Sequence, residues 1–192
     1  MKIEESKIGF IGQGAIGRRL IDHGFRLSVY DRTVQRMDQP VTFGATAAES
    51  ASALSVDSDV VMSCVTNDDA VLGTYGSARG AMAAARPGTI VIEMSTVLPG
   101  TSIGLSRLRR ERAVEVLDVP ISGSTPAAEE GTLVLFAGGD RQTFERCYPN
   151  LQGAVAATLS HRAERNRQRD ETRREHIARI GHAGGRLGRN AR

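Results

Sequence analysis

The sequence predicts an α/β fold, a doubly wound and mostly parallel sheet with helices on both faces. Three observations predict it. Largely apolar runs of four to six residues recur at Ile8–Ile11, Leu27–Tyr30, Val60–Val65, Thr89–Glu93 and Val114–Leu117. Their length and character suit buried parallel strands. Helical patterns fall between them, and strands alternating with helices at this spacing imply a parallel sheet. The 192 residues, 40% of them hydrophobic, are enough to bury one core with a short appendage.

The first strand, Ile8–Ile11, runs into Gly12, Gly14 and Gly17 in G-x-G-x-x-G spacing, and a helical pattern starts at Ala15. Gly12 permits a tight turn, Gly14 lets a pyrophosphate approach without meeting a Cβ, and Gly17 lets the helix pack close to the strand. The helix N-terminus offers unpaired N–H groups and partial positive charge to phosphates. Leu27–Tyr30 ends on Asp31, nineteen positions after Gly12, where a carboxylate accepts hydrogen bonds from an adenosine ribose. A chain with 21 glycines can produce the spacing in a turn that binds nothing. Strand, glycines, helix, second strand and acid all in register favour a dinucleotide-binding Rossmann unit.

Val34–Gln39 reads as a short helix closed by Pro40, and Ala45–Leu54 as a surface helix. After the Val60–Val65 strand, Asn67, Asp68 and Asp69 suit the cap and first turn of a helix beginning near Ala70. Ala78–Ala85 is helical, ended by Arg86-Pro87-Gly88, and Ser95-Thr96 follow the Thr89–Glu93 strand. Pro99 opens a helix to about Arg112 with Ile103, Leu105 and Leu108 as its apolar face. Val114–Leu117 and Leu133–Ala137 are the last strands, and Arg141–Cys147 is a helix stopped before Pro149. Ligands of such sheets bind at the carboxyl ends of strands. Gly12–Ile16, Asp31–Thr33, Val65–Asn67, Ser95-Thr96 and Ser122–Ser124 are therefore expected along one edge. The plainer alternatives are helix capping for Ser95-Thr96 and a polar turn for Ser122–Ser124.

The net charge of +3 conceals a split: ten arginines against four acids from His161 to Arg192 give +6, leaving −3 for residues 1–160. Two domains of different character follow, 1–160 as the folded unit and 161–192 as an Arg-rich tail with too few apolar residues for a core. No aromatic residue interleaves with these arginines, so a solvated tail is expected rather than a nucleic-acid partner. Its abrupt composition suggests a reading-frame shift in a high-GC gene, which resequencing would test. His161, His176 and His182 have no metal-ligand spacing, and no metal site is expected. Cys64 and Cys147 read as reduced thiols, and the absence of a long apolar run or signal core points to a cytoplasmic protein without a membrane partner.

Four motifs stand in order: IGFIGQGAIG at 8–17, SCVTNDDAV at 63–71, PGTIVIEMST at 87–96 and LDVPISGSTPAAEEGTL at 117–133, with FAGGD at 136–140 continuing them. Together they resemble the β-hydroxyacid dehydrogenases, the family of 3-hydroxyisobutyrate dehydrogenase and relatives of 6-phosphogluconate dehydrogenase. The resemblance covers residues 7–160. It implies hydride transfer between nicotinamide and a small β-hydroxy acid. Gly12, Gln13, Gly14, Ala15, Ile16 and Gly17 would hold the pyrophosphate; Val65, Thr66 and Thr96 would line the nicotinamide side; Ser122, Gly123 and Ser124 would hold the substrate carboxylate. Asp31 argues for NAD, whereas Arg32 and Thr33, a pair that accompanies NADP in this family, argue for NADP; NADP is the expectation, with NAD the alternative.

The family moves its proton with a lysine on the helix after the Rossmann unit. This chain has lysines only at 2 and 7, so no catalytic residue is assigned and a C-terminally truncated member lacking the helical domain is expected. A non-catalytic NAD(P)-binding module or relic is the alternative. The missing domain would leave apolar surface exposed, so aberrant association is expected and the oligomeric state stays open.

Overall fold

Side chains that alternate across buried strands divide the interior into two layers in the computed structural model, which describes residues 6–12, 14–154 and 159–163. Five parallel strands form the centre: β1 (Lys7–Gly12), β2 (Arg26–Tyr30), β4 (Val60–Cys64), β5 (Ile90–Glu93) and β6 (Glu115–Asp118). Short β3 (Thr46–Ala47) extends the β2 edge, and β7 (Ile121–Ser122), β8 (Val134–Gly139) and β9 (Leu159–Ala163) complete the far side. The order is β3-β2-β1-β4-β5-β6-β8-β7 with β9 on β8; β8 runs antiparallel to β6 and β7. The expected mostly parallel, doubly wound sheet is the observed one.

Ile8, Phe10, Val60, Met62, Ile90, Ile92 and Leu117 point into one layer, and Ile11, Val61 and Val91 into the other. α1 (Gly14–Asp22), α7 (Thr125–Glu130) and α8 (Arg141–Ala154) cover the first face through Ile16, Leu20, Ala128, Cys147 and Leu151. α3 (Ala51–Val56), α4 (Asp68–Gly76), α5 (Ala81–Ala84) and α6 (Pro99–Arg112) cover the second through Leu54, Val71, Tyr75, Met82 and Leu105. The cap expected at Asn67 is made, its side-chain oxygen accepting the Ala70 N–H at 2.8 Å.

Several elements differ from expectation for identifiable reasons. Pro40 does not close a helix: it is the third residue of α2 (Asp38–Thr42), after a 3-10 turn at Val34–Met37. Proline costs little there, because first-turn N–H groups have no intrahelical acceptor. Ala45–Leu54 is not one helix: Thr46 and Ala47 pair with Ser28 and Val29, and α3 starts only after Ser50, whose hydroxyl accepts the Ala53 N–H at 3.0 Å. The Ala78–Ala85 stretch shrinks to α5 behind an extended Gly80, where a Cβ would lie 2.7 Å from the Tyr75 carbonyl. On α6 the inward stripe is buried Thr101 and Leu105 with half-buried Leu108, four and three apart, whereas Ile103 on the other side is 48% exposed. α8 continues through Pro149 because Cys147 and Leu151, one turn apart, both lie in the core; that burial offsets the hydrogen bond proline cannot make. β9 crosses the domain boundary expected at residue 160; the remainder of the expected tail, 164–192, and Gln13 lie outside the described residues.

The glycine that closeness requires is not the expected one. A Cβ at Gly17 would meet Leu27 at 3.4 Å and Phe10 at 3.6 Å, ordinary contacts, so helix packing there does not demand glycine. At Gly9 in β1 a Cβ would overlap the Leu54 side chain of α3 and stand 2.6 Å from the hydroxyl of Ser58, just beyond that helix. Gly9→Ala should therefore lower stability in urea unfolding by about 1–3 kcal/mol through overpacking. Gly17→Ala should be neutral or raise stability by up to about 1 kcal/mol. The reverse order would refute this account of α1 and α3 packing.

Candidate nucleotide-binding cleft

Because β1, β2, β4, β5 and β6 are parallel, their carboxyl ends open on one edge. A cleft there is lined by Gly12, Asp31, Arg32, Thr33, Val65 and Thr66, brought together from the exits of three strands. Gly12 sits at its floor with φ +106°, and a Cβ would overlap the Cys64 carbonyl oxygen. Glycine is thus required twice over, by conformation and by the approach of β4. α1 starts two residues later at Gly14, so its unpaired first-turn amides open on the same edge. The Ile16 side chain is buried in the core and Ala15 is half-buried, so these two can offer a ligand little but backbone.

At the β2 exit the Asp31 carboxylate is already engaged. Its Oδ1 accepts the Thr33 N–H at 2.8 Å, and its Oδ2 faces the Arg36 guanidinium at 3.9 Å. Arg32 and Thr33 are exposed beside it. Arg36 also lines the cleft and was not anticipated. The signal that could have found it is spacing: a 3-10 turn over 34–37 turns residue 36 back toward residue 31.

The β4 and β5 exits are tied together by side chains. The Ser95 hydroxyl accepts the Val65 N–H at 2.9 Å, and Ser95 N–H donates to Glu93 Oε1 at 2.7 Å. Asp68 Oδ1 accepts the Leu98 N–H at 2.9 Å and the Thr101 hydroxyl at 2.5 Å. Ser95 and Thr96 therefore do not cap α6, whose N-cap is Leu98; Ser95 is buried and Thr96 exposed. Glu93 is also buried, with Oε2 accepting from Ser63, whose hydroxyl lies 2.6 Å from the Tyr75 hydroxyl. Burial pushes the Glu93 carboxyl above its ordinary value, against the opposing hydrogen bonds from Ser63 and Ser95. Burial, then the neighbouring Glu93, pushes the Cys64 thiol up to about 12 and raises the Tyr75 hydroxyl.

Ser122, Gly123 and Ser124 lie beyond the end of β6, farther along the same edge, where Ser122 ends β7 and Ser124 caps α7 (Thr125–Glu130). Gly123 has φ +147° and a Cβ there would stand 2.5 Å from Leu133. Ser124 occupies the N-cap of α7 but makes no side-chain capping bond. Arg19 of α1 braces this region, its guanidinium lying against Gly131 and donating to the Glu129 carbonyl at 3.4 Å. Among the described residues no cluster of His, Cys, Asp or Glu is placed to hold a metal ion, and no helix is long and apolar enough to cross a membrane.

Residues 7–162 match the family described as the NAD binding domain of 6-phosphogluconate dehydrogenase. An NAD-dependent L-serine dehydrogenase of Pseudomonas aeruginosa is 37% identical over 159 residues, 81% of this chain and 53% of its own. The structure of Mycobacterium tuberculosis 3-hydroxyisobutyrate dehydrogenase with L-serine superposes with a TM-score of 0.77 at 25% identity, covering 82% of this chain and 54% of that one. Psf3 in complex with NADP+ and 2-OPP gives 0.77 at 29% identity over 82% of this chain and 57% of that one. The chain spans about half the length of the curated relatives it matches.

The raised Glu93 carboxyl makes stability depend on pH. Above its ordinary value of 4.5 the folded chain holds a proton that the unfolded chain has released. Its contribution is full below that value and is lost as pH rises through the folded value. Melting temperatures measured across this range should fall with pH more steeply for the wild type than for Glu93→Gln. Parallel curves would show that Glu93 titrates normally.

Proposed function

The chain belongs to the family defined by the NAD binding domain of 6-phosphogluconate dehydrogenase, and from that membership we propose that it is the nucleotide-binding half of a dehydrogenase of small β-hydroxy acids. The observation that carries this reading is the Gly12 floor, closed to any Cβ, between the exits of β2 and β4. A pyrophosphate is the group such a floor and the adjoining α1 amides suit. Gly12 to Gly17 would hold it, Gln13 included, largely through backbone. Bound nicotinamide would supply the hydride acceptor or donor; the chain's own residues bind and orient around it.

Val65, Thr66 and Thr96 would line the nicotinamide side. The Ser124 hydroxyl, with no capping bond to α7, supports a role for Ser122, Gly123 and Ser124 in holding a substrate carboxylate. Names of relatives point to hydroxy acids of the size of L-serine. For the cofactor we favour NADP over NAD. Arg36 faces Asp31 at 3.9 Å, and Arg32 and Arg36 offer two guanidinium groups to a 2′-phosphate. Unpaired thiols at Cys64 and Cys147 support a cytoplasmic setting, and residues 1–160 are taken as the nucleotide-binding unit.

Proton transfer separates this reading from the second. Lys7 opens β1 at the opposite sheet edge, roughly 16 Å of strand from Gly12, and Lys2 precedes it. A substrate hydroxyl proton beside Thr96 or Ser122 must therefore pass to a group other than Lys7. General acid–base help is worth about two to four orders of magnitude, so a module that binds without useful turnover is the reading favoured by lysine content.

Fluorescence titration with NADPH and NADH tests both. Micromolar binding is expected, tighter for NADPH, and absence of binding to either would sink the nucleotide reading. The double variant Arg32→Ala/Arg36→Ala should weaken NADPH by about tenfold or more, one or more charge-assisted hydrogen bonds, with NADH little changed. Turnover of L-serine or 3-hydroxyisobutyrate would decide against the non-catalytic module.

A further inference from the structure

Beneath the exits of β4 and β5 lies a buried acid with no part in the binding roles above. Glu93 ends β5 at 1% exposure, and no cation pairs with it among the described residues. A carboxylate buried without a cation is a costly way to stabilise a core. Its oxygens meet donors aimed from two directions. Oε1 accepts the Ser95 N–H at 2.7 Å, and Oε2 accepts from Ser63, itself 2.6 Å from the Tyr75 hydroxyl. Ser95 then passes the constraint across, its hydroxyl holding the Val65 N–H at 2.9 Å. One line of hydrogen bonds therefore runs from Glu93 through Ser95 to Val65, joining two loops at the ligand edge.

We propose that Glu93 is a positioning residue for the nicotinamide half of the site: through Ser95 it sets the spacing of Val65–Thr66 and Ser95–Thr96. This rests on the dinucleotide-binding reading above. Sheet order supplies the direction. β2, carrying Asp31, lies on one side of β1, and β4 and β5 lie on the other. A dinucleotide with its adenosine ribose at Asp31 and its pyrophosphate at Gly12 carries its second half over β4 and β5. Glu93 touches neither half; it acts through the loops.

The test separates the halves. Purified full chain is titrated with NADPH and with 2′,5′-ADP, which holds only the adenosine end, and in parallel with NADH and ADP. Glu93→Ala should weaken the dinucleotide by about tenfold, one net hydrogen bond's worth, while the adenosine fragment stays within about twofold. Glu93→Gln keeps an oxygen for the Ser95 N–H and should restore dinucleotide binding to within about threefold of wild type. Should Glu93→Ala fail to fold, Ser95→Ala removes the acceptor of the Val65 N–H and should give the same selective loss. Equal weakening of dinucleotide and fragment, or no weakening of either, overturns the proposal, as does a folded Glu93→Gln no better than alanine. A wild type that binds neither dinucleotide overturns the nucleotide reading itself, a result distinct from all of these.

Discussion

At the exit of β1 the backbone passes so close to β4 that the Cys64 carbonyl oxygen occupies the space a Cβ at Gly12 would need. This contact sets the floor of the cleft. It lets α1 begin at Gly14 directly above the strand ends, and it brings Val65 and Thr66 against the same opening as Asp31. The apolar layers on either side hold the two strands at that separation, with Phe10 and Met62 in one and Ile11 and Val61 in the other. A parallel sheet buried on both faces is what makes such precision possible, since each strand is fixed by two neighbours and two layers.

The rest of the edge is held by polar groups that burial makes expensive to leave unpaired. Glu93, Ser63, Ser95 and Tyr75 form one network beneath β4 and β5, and Asp68 pins the start of α6 to the start of α4. On the other face of the sheet from that network, Arg19 of α1 braces its neighbour α7. These side chains stand behind the loops of the cleft rather than within it.

The family match covers residues 7–162, and the cleft above the Gly12 floor lies within them. Matched relatives are about twice as long as the stretch they share with this chain. The Gly12 floor, Asp31 and the Ser122–Ser124 loop all fall within the matched residues, whereas the chain's two lysines stand in sequence at or before the first residue of β1.

Sequence alone determined the alternation of buried strands and helices, the turn at Gly12, the cap at Asn67 and the strand ends at which Gly12, Asp31 and Val65 meet. These follow from local periodicity, from glycine's freedom at positive φ and from parallel-strand geometry, each contained in a few neighbouring residues. Tertiary structure decided what depends on partners distant in sequence. Leu54 is why Gly9, rather than Gly17, must be glycine; Cys147 and Leu151 carry α8 through Pro149; Ser28 and Val29 turn Thr46 and Ala47 into an edge strand. Arg36 meets Asp31 only once the 3-10 turn forms, and Glu93 meets Ser63 and Tyr75 only when β4, α4 and β5 have assembled. Such contacts have no signature in local pattern, because the burial that gives them their energy exists only in the packed sheet.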